Sequence, residues 1–210
     1  MILTRMELDT TKRKCVLALT SPNLFHGAIE EAFPERGRKL WRIDVLTGKT
    51  YLLLVSEDRP DLTKAARQFG TDAGWESRNY TPFLEKIQTG DRRRFRVVAN
   101  PVITKSAGTG NPGSVLAHVT AAQQEMWLSD RAEKNGFSLA PGEFSTVSST
   151  WYTFRKGNDG GRPVTFRSAT FEGMLTVTDA ERFRELLVGG LGREKAYGCG
   201  LLTVTGAIHE

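Results

Sequence analysis

The chain has 210 residues, 39% of them hydrophobic and 25% charged, so it is long enough for one large or two small globular domains. A formal net charge of +5 and an isoelectric point of about 9.4 favour a polyanionic partner. Two cysteines, Cys15 and Cys199, are too few for a disulfide framework or a cysteine metal site, and no window approaches the ~20 apolar residues of a membrane span. Without an apolar run typical of a signal peptide, we expect a cytoplasmic protein with no membrane partner.

The first half of the chain predicts the element order β-α-β-β-α-β. Alternating side chains indicate a strand at Ile2–Leu8, followed by a basic loop at Thr11–Lys14. A helix is predicted to begin at Ser21-Pro22, because proline favours the first helical position, and to end at Pro34. The other predicted elements are strands at Leu40–Leu46 and Lys49–Ser56, a helix at Asp61–Phe69 and a short strand at Trp75–Tyr80. This is the ferredoxin-like order.

The second half predicts the same order after a connector at Pro82–Asp91. Its predicted elements are a strand at Arg93–Ile103, a Gly/Pro/Ser-rich loop at Ser106–Ser114, a helix at Val119–Lys134, strands at Phe144–Arg155 and Val164–Val177, a helix after a capping box of Thr178 and Glu181, and a strand at Leu201–Thr205. The stripe of the long helix is expected to contain Ala122, Met126 and Trp127. We therefore predict an α+β protein of two tandem ferredoxin-like (RRM-like) domains, residues 1–88 and 89–210.

Two Gly-x-Gly steps, Gly190-Leu191-Gly192 and Gly198-Cys199-Gly200, bracket five residues that include Arg193 and Lys195. Glycine adopts positive φ and lets a ligand approach the backbone, so the loop is expected to present several N–H groups to an anion such as a phosphate. A P-loop or a dinucleotide-binding loop follows a strand and opens a helix. This loop follows a predicted helix and opens a strand, which excludes both. A glycine-rich turn without a ligand is the alternative.

Basic side chains flank the predicted hairpin between the two long strands. Arg155, Lys156 and Arg162 surround its glycine-rich tip, and Arg167 lies on the returning strand. A basic hairpin can lie along a nucleic-acid groove and bind phosphates without reading bases, although a solvated tip has the same composition. Four arginines, Arg92–Arg94 and Arg96, are better explained as a solvated strand face. The strand aromatics could stack on bases but are more typical of a core: Trp41, Tyr51, Trp151 and Tyr152.

The chain has three histidines, His26, His118 and His209. His26 falls at the edge of the apolar stripe of the first predicted helix, beside Asn23 and Glu30. There an imidazole could project into a cleft while the helix stays packed, but an ordinary residue at a core border would occupy the same position. His118 is interpreted as a loop or capping residue and His209 as part of a frayed tail.

The two Gly-hydrophobic-Gly steps with five residues between them resemble the C-terminal glycine-rich loop of the CRISPR-associated RAMP proteins. Within that superfamily the chain is most similar to CasE, the crRNA-processing endoribonucleases of type I-E Cascade. Phe83–Val102 resembles their interdomain segment, and Glu133–Phe137 resembles the end of their second-domain helix. The resemblance implies tandem RRM-like folds with the glycine loop at the end. It also implies an active histidine on the first helix, just after a Ser/Asn-Pro start, and His26 fits that place.

The function that the resemblance implies is metal-independent cleavage at the repeat stem-loop of CRISPR precursor RNA, with no cofactor. The RNA's own 2′-hydroxyl would attack, giving a 2′,3′-cyclic phosphate and a 5′-hydroxyl. The protein would then stay bound to the mature crRNA among the other Cascade subunits. An imidazole, with an ordinary pKa of ~6.5, suits either proton transfer, which typically contributes ~10²–10⁴-fold in rate. The sequence shows no carboxylate cluster or His/Cys spacing for a metal.

A non-catalytic crRNA-binding subunit of the same kind of complex is the alternative, and such a subunit would have no need of His26. In either case the predicted RNA-binding residues are Arg155, Lys156, Arg162, Arg167, Gly190, Gly192, Arg193, Lys195, Gly198 and Gly200. One position departs from the family pattern, because Asn23 stands where relatives often carry a tyrosine one turn before the histidine. An asparagine can donate a hydrogen bond to an oxyanion but cannot titrate. Either a nearby cation (Arg36, Arg38 or Lys39) takes the tyrosine's role, or the role is absent.

Overall fold

Two antiparallel sheets, one in each half of the chain, form the frame of the protein. The computed structural model describes residues 1–35, 37–105, 114–155 and 161–208. The first sheet consists of β1 (Ile2–Leu8), β2 (Leu40–Leu46), β3 (Lys49–Ser56) and β4 (Gly70–Asn79), in the spatial order β2-β3-β1-β4. The helices of this half are α1 (Arg13–Thr20), α2 (Asn23–Glu30) and α3 (Thr63–Phe69). With β1 and β3 central and the helices on one face, this half has the predicted ferredoxin-like topology.

The helices bury one face of the first sheet. Met6 of β1 and Leu52 of β3 point to this face, because alternate side chains of a strand share a side. They pack with Cys15 of α1 and with Phe25 and Ile29 of α2. Because Phe25 and Ile29 are four positions apart on α2, they hold one stripe of this helix against the sheet. The residues beside the stripe are left at the border of the core.

α1 occupies a segment for which the sequence predicted a loop. The prediction of a basic loop at Thr11–Lys14 was wrong, because α1 begins within it and buries Cys15 and Ala18. The helix also exposes Val16 and Leu17, so its sequence lacks the clean division into apolar and polar faces that would have indicated a helix.

α2 begins where the sequence predicted a helix start. Pro22 stands at the N-cap position and Asn23 is the first helical residue. The helix ends at Glu30, earlier than the predicted end at Pro34.

The second half repeats the arrangement. Its elements are α4 (Thr81–Glu85), β5 (Arg92–Ala99), β6 (Val102–Lys105), β7 (Ser114–Ala117), α5 (Ala121–Ala132), β8 (Phe137–Ser138), β9 (Phe144–Arg155), β10 (Pro163–Val177), α6 (Ala180–Gly189) and β11 (Leu202–Val204). The second sheet has the order β11-β5-β10-β8, and β9 also pairs with β10. Trp127 of α5 and Phe183 of α6 pack on it with Val97 and Phe171. Two tandem ferredoxin-like domains are therefore confirmed.

The predicted long strand Arg93–Ile103 is two strands in the structure. β5 ends at Ala99, and the chain then passes through Asn100 and Pro101, which has no N–H to donate to a ladder. β6 leaves the sheet and pairs with β7 as a separate ribbon. Of the predicted loop Ser106–Ser114, residues 106–113 lie outside the described residues.

Two details of the helices in this half also differ from prediction. α5 buries Trp127, as predicted, together with Gln124 and Leu128, whereas Ala122 and Met126 are exposed and were wrongly assigned to its stripe. α6 is capped by Asp179 rather than by the predicted capping box of Thr178 and Glu181, because the Asp179 carboxylate accepts hydrogen bonds from the backbone amides of Glu181 and Arg182. In the described ranges no helix is long and apolar enough to cross a membrane.

The two domains meet where the start of β2 lies along the loop of residues 189–201, which we call the glycine loop. The Arg38 guanidinium donates to the Gly189 carbonyl over 3.2 Å. Leu40 packs over Gly190, and the Trp41 indole donates to the Ala196 carbonyl over 3.2 Å. We call this contact the interdomain seam. It places the helix side of the first domain next to the glycine loop of the second.

Arg42 is 1% exposed and joins the two sheets at the seam. Its Nε and Nη2 donate to the two carboxylate oxygens of Asp44 over 2.8 and 2.6 Å. Its Nη1 donates to the carbonyls of Arg96 and Leu201 in the second domain, each over 2.8 Å. Each nitrogen of the buried guanidinium thus has a partner, and removal of Asp44 would leave the charge of Arg42 buried without a counter-charge.

Candidate active site at the domain junction

His26 lies on α2 at the border of the first core, where the sequence predicted it. Its side chain is 37% exposed, and its Nδ1 lies 3.9 Å from Oε1 of Glu30, one turn along the helix. The imidazole meets the ring of Tyr197 edge to face, with ring centroids 6.1 Å apart. Because Tyr197 belongs to the glycine loop, His26 is held at the junction of the two domains.

A buried cation lies behind His26. The second oxygen of Glu30 accepts a hydrogen bond from Lys39 Nζ over 3.1 Å, and the Lys39 side chain is only 4% exposed. Lys39 also donates to the Glu35 carbonyl and lies 4.9 Å from the centre of the Phe33 ring. Of the three cations considered as substitutes for the family's tyrosine, Lys39 is therefore linked to His26 through Glu30.

Neither of the other two candidate cations is shown to contact His26 by the described residues. Arg38 is directed to the carbonyl of Gly189, and Arg36 lies outside the described residues. Asn23, which stands at the tyrosine position, has a buried Oδ1 with no hydrogen-bond partner among the described residues. A buried amide oxygen without a partner is uncommon, and a ligand could reach this one only after a local rearrangement.

Tyr197 connects His26 to the β9–β10 hairpin. Its ring packs edge to face on Phe154 of β9 at 4.9 Å and stacks on Phe166 of β10 at 5.8 Å. Phe154 is next to Arg155, the last residue of β9, which lies opposite Pro163 at the start of β10. The structure therefore brings together three features that the sequence identified separately: the histidine, the glycine loop and the basic hairpin.

The basic residues of the hairpin lie in two places, at its tip and on one of its faces. Arg155 and Arg162 are exposed at the end of the described strands, and Lys156 lies outside the described residues. Arg167 instead donates to the Ser149 hydroxyl over 2.7 Å and lies 5.6 Å from the ring of Trp151. Because alternate residues of β10 face opposite sides, Arg167 is on the face opposite Phe166, away from Tyr197.

The four glycines of the two Gly-x-Gly steps all have positive φ: 75° at Gly190, 74° at Gly192, 83° at Gly198 and 92° at Gly200. A Cβ at Gly190 would lie 2.6 Å from Leu40, and one at Gly198 would lie 3.0 Å from the Trp41 ring. The glycine pattern thus lets the loop dock against the first domain. This packing role differs from the ligand access that the sequence suggested.

The outer turn of the loop keeps the expected capacity to bind an anion. Gly192 and Arg193 are exposed, and within the described part of the chain their backbone amides donate to no protein acceptor. Lys195 is half-buried, and its Nζ donates to the Gly189 carbonyl over 2.6 Å. Burial, and then the charge of Arg38, lower the pKa of Lys195. Unpaired amides beside Arg193 can bind one phosphate oxygen or more.

The arginines of β5 do not form a basic surface. Arg93 is buried on the core side and paired with Asp91 over 2.6 Å. Arg92 is paired with Glu143, and Arg96 lies against Asp44 and Glu172. The interpretation of these arginines as a solvated strand face fits Arg94, which is exposed, whereas the other three are paired with carboxylates.

Sequence reasoning missed some residues of the site. Tyr197 was not singled out, and its only signal is an aromatic ring in an otherwise polar stretch of the glycine loop. Trp151 was assigned to the core, but it is 52% exposed beside Arg167. The contact of Glu30 with His26 follows from their i, i+4 spacing on α2, but its contact with Lys39 depends on the turn after α2, which no local pattern predicts.

The regions of the chain that match known proteins include every residue of the candidate site. A model of the CRISPR-associated protein family matches residues 1–205. The chain is 32% identical to the CRISPR-associated endoribonuclease Cse3 of Thermus thermophilus, over 97% of this chain and 99% of that protein. It matches a structure of the CRISPR endoribonuclease Cse3 bound to 19 nt RNA with a TM-score of 0.81 and 29% identity, covering 98% and 100% of the two chains. A chain of a CRISPR RNA-guided surveillance complex in a pre-nicking state matches with a TM-score of 0.72 and 27% identity, covering 97% and 99%.

The chain has two tandem ferredoxin-like domains, and the glycine loop of the second docks on the first. This fold places the chain in the RAMP class, as its sequence motifs indicated. The family model covers nearly all of the chain, and the Cse3 similarity extends over both domains. This protein belongs to the family of CRISPR-associated proteins and is a CasE-like member of it.

Proposed function

We propose that this protein is an endoribonuclease that binds the repeat stem-loop of CRISPR precursor RNA and cleaves it with His26 as the catalytic residue. The observation that carries the proposal is the contact between His26 and Tyr197. Through this contact, a side chain of the first domain that can transfer protons lies beside the glycine loop and the basic hairpin of the second domain. The relatives support the activity, because Cse3 is an endoribonuclease by name and has been solved bound to RNA.

The reaction that suits this site is a transesterification within the RNA. The 2′-oxygen attacks the adjacent phosphorus and the bond from phosphorus to the 5′-oxygen breaks, which leaves a 2′,3′-cyclic phosphate and a 5′-hydroxyl. His26 either takes the proton of the 2′-hydroxyl or donates one to the leaving 5′-oxygen. Because the nucleophile belongs to the RNA, the reaction requires no nucleophile from the protein.

The RNA is held by two groups of residues with different tasks. Arg155, Lys156 and Arg162 at the hairpin tip bind phosphates of the stem, and Arg167 with Trp151 offers a cation and a ring on the other face of the hairpin. In the glycine loop, Gly192, Arg193 and Lys195 contact phosphate. Gly190, Gly198 and Gly200 act indirectly, because they allow the loop to dock in its observed shape.

After cleavage the protein stays with the crRNA as a subunit of a Cascade-type complex. The match to a chain of an RNA-guided surveillance complex supports this partnership. We place the protein in the cytoplasm, where a reducing environment is compatible with its two free, buried cysteines.

The test is incubation of the purified protein with a labelled repeat hairpin in excess EDTA. We expect cleavage to proceed, and we expect the same RNA with a single 2′-deoxy nucleotide before the scissile phosphate to be bound and left intact. Cleavage of the 2′-deoxy RNA, or its dependence on a metal, would contradict the mechanism. Binding without cleavage of the all-ribose RNA would instead support the non-catalytic subunit.

A further inference from the structure

A second group of cations lies at the start of the glycine loop, where α6 ends. A cleft of about 320 Å³ is lined there by Arg38, Lys134, Arg182 and Lys195, with Glu185 as the one carboxylate among the described residues that line it. We call it the Arg38–Lys195 cleft. Arg38 comes from the first domain and the other three cations from the second, so the cleft lies across the interdomain seam.

Two of these cations converge without a counter-charge. Arg38 and Lys195 both donate to the carbonyl of Gly189, over 3.2 and 2.6 Å. Arg182 is paired with Asp179 at 3.4 Å, whereas no carboxylate of the described residues forms an ion pair with Arg38, Lys134 or Lys195. Like charges held this close repel each other, and an anion between them would relieve the repulsion.

Two residues of the cleft are close in sequence to residues of the candidate active site. Lys195 is two residues before Tyr197, so their Cα atoms are at most about 7 Å apart. Arg38 is next to Lys39, which holds Glu30 beside His26. An RNA strand with its scissile phosphate at His26 therefore has neighbouring phosphates within reach of the cleft.

We propose that the Arg38–Lys195 cleft binds the phosphate backbone of the single-stranded RNA that flanks the repeat hairpin. This inference rests on the proposed function. The hairpin tip with Arg155 and Arg162 is a separate basic element, and it suits the stem. The cleft has a volume of about 320 Å³, and Gly189 and Gly190 in its wall present no side chain to an approaching strand. Among the described residues no aromatic side chain lines it, so we expect its cations to bind phosphates rather than to stack on bases.

The same cations have a simpler explanation that the test must separate. Gly189 is the last residue of α6, and cations at the C-terminus of a helix stabilise its exposed carbonyl groups. If that were their only role, replacement of Arg38 would lower thermal stability and leave RNA affinity unchanged.

The experiment compares three labelled RNAs on the full-length protein at several salt concentrations: the bare repeat hairpin, the hairpin with a single-stranded 5′ extension and the hairpin with a 3′ extension. We expect one extension to raise affinity, whatever its base sequence. The variant Arg38→Gln with Lys134→Gln should remove that gain, lowering affinity for the extended RNA by roughly fivefold more than for the bare hairpin. The salt slope for the extended RNA should fall by about one per lost phosphate contact.

Arg67→Gln is the matched control, because Arg67 is an exposed arginine on α3 away from the cleft. This variant should change the affinity for neither the bare hairpin nor the extended hairpins. The inference is overturned if neither extension raises affinity, or if the gain survives in the double variant while hairpin binding and cleavage are normal. Failure of the parent to bind even the bare hairpin would contradict the proposed function, and this inference with it.

Discussion

At the scale of single residues, His26 adds one imidazole to an interface of many basic groups, so its replacement should affect cleavage far more than binding. We expect His26→Ala to slow cleavage of the repeat hairpin by ~10²-fold or more, as for a lost general acid or base, with nearly unchanged affinity. Single-turnover rates and direct binding measure the two effects. His118→Ala is the control, because His118 precedes α5 and its backbone bonds to Pro101 and Gln124. Parental cleavage by His26→Ala would place the active site elsewhere.

The neighbours of His26 show what a local pattern can and cannot predict. The Ser-Pro start and the apolar stripe placed His26 at the edge of α2, and the structure agrees. The contact with Tyr197 could not be predicted in this way, because it depends on how two domains dock. The burial of Arg42 could not be predicted either. In the sequence it resembles a solvent-facing residue of an alternating strand, but it is 1% exposed. Patterns within one element predict which side of it is buried, but they do not predict the partner element.

At the scale of elements, the β9–β10 hairpin should contribute to affinity through phosphate contacts. We expect Arg155→Gln and Arg162→Gln each to weaken binding of the repeat hairpin and to reduce the slope of log affinity against log salt by about one per lost contact. Arg78→Gln is a suitable comparison, because Arg78 is 84% exposed at the end of β4. Unchanged slopes in both hairpin variants would remove this element from the RNA surface.

The glycine loop makes a different prediction, because its glycines are needed for shape. We expect Gly198→Val to destabilise the protein by about 1–3 kcal/mol, since φ is +83° and the new Cβ would press on the Trp41 ring. Gly206→Ala should have little effect, because a Cβ there meets no atom within 4 Å. Chemical unfolding measures both. Loss of RNA binding by Gly198→Val with unchanged stability would instead favour backbone access as the reason for this glycine.

Most elements could be predicted from the sequence, and the exceptions have physical causes. Alternation and turn residues predicted most strands of the two sheets, although β4 begins at Gly70 rather than at Trp75 and β8 was not predicted. With the helices, these strands predicted the repeated topology. α1 was missed because its exposed Val16 and Leu17 obscure its buried face. The predicted boundary at residue 88 stays a prediction. Leu84 and Ile87, just before it, pack in the larger core with the second sheet, so the connector is built into that core.

At the scale of the whole molecule, the buried pair of Arg42 and Asp44 should decide how firmly the domains are joined. We expect Arg42→Ala to lower the free energy of unfolding by up to about 3–5 kcal/mol, because Asp44, at 3% exposure, loses its bidentate partner and keeps only the partly exposed Arg96. Arg42→Met combined with Asp44→Leu should recover much of this loss, since no buried charge is then left alone. A double variant as unstable as Arg42→Ala would show that the carbonyl contacts of Arg42, rather than the ion pair, hold the seam.

The interdomain seam also affects the order in which the protein can form during synthesis. Trp41 and Arg42 reach partners 155 and 159 positions later in the chain. Contacts this distant in sequence form slowly, and a ribosome adds only about 5–20 residues per second, so the first domain emerges long before its partners exist. Until then the nascent chain exposes the indole of Trp41 and a guanidinium that lacks its far acceptors. His26 can meet Tyr197 only after the glycine loop has been synthesised, so the proposed active site cannot form on a nascent chain that consists of the first domain alone.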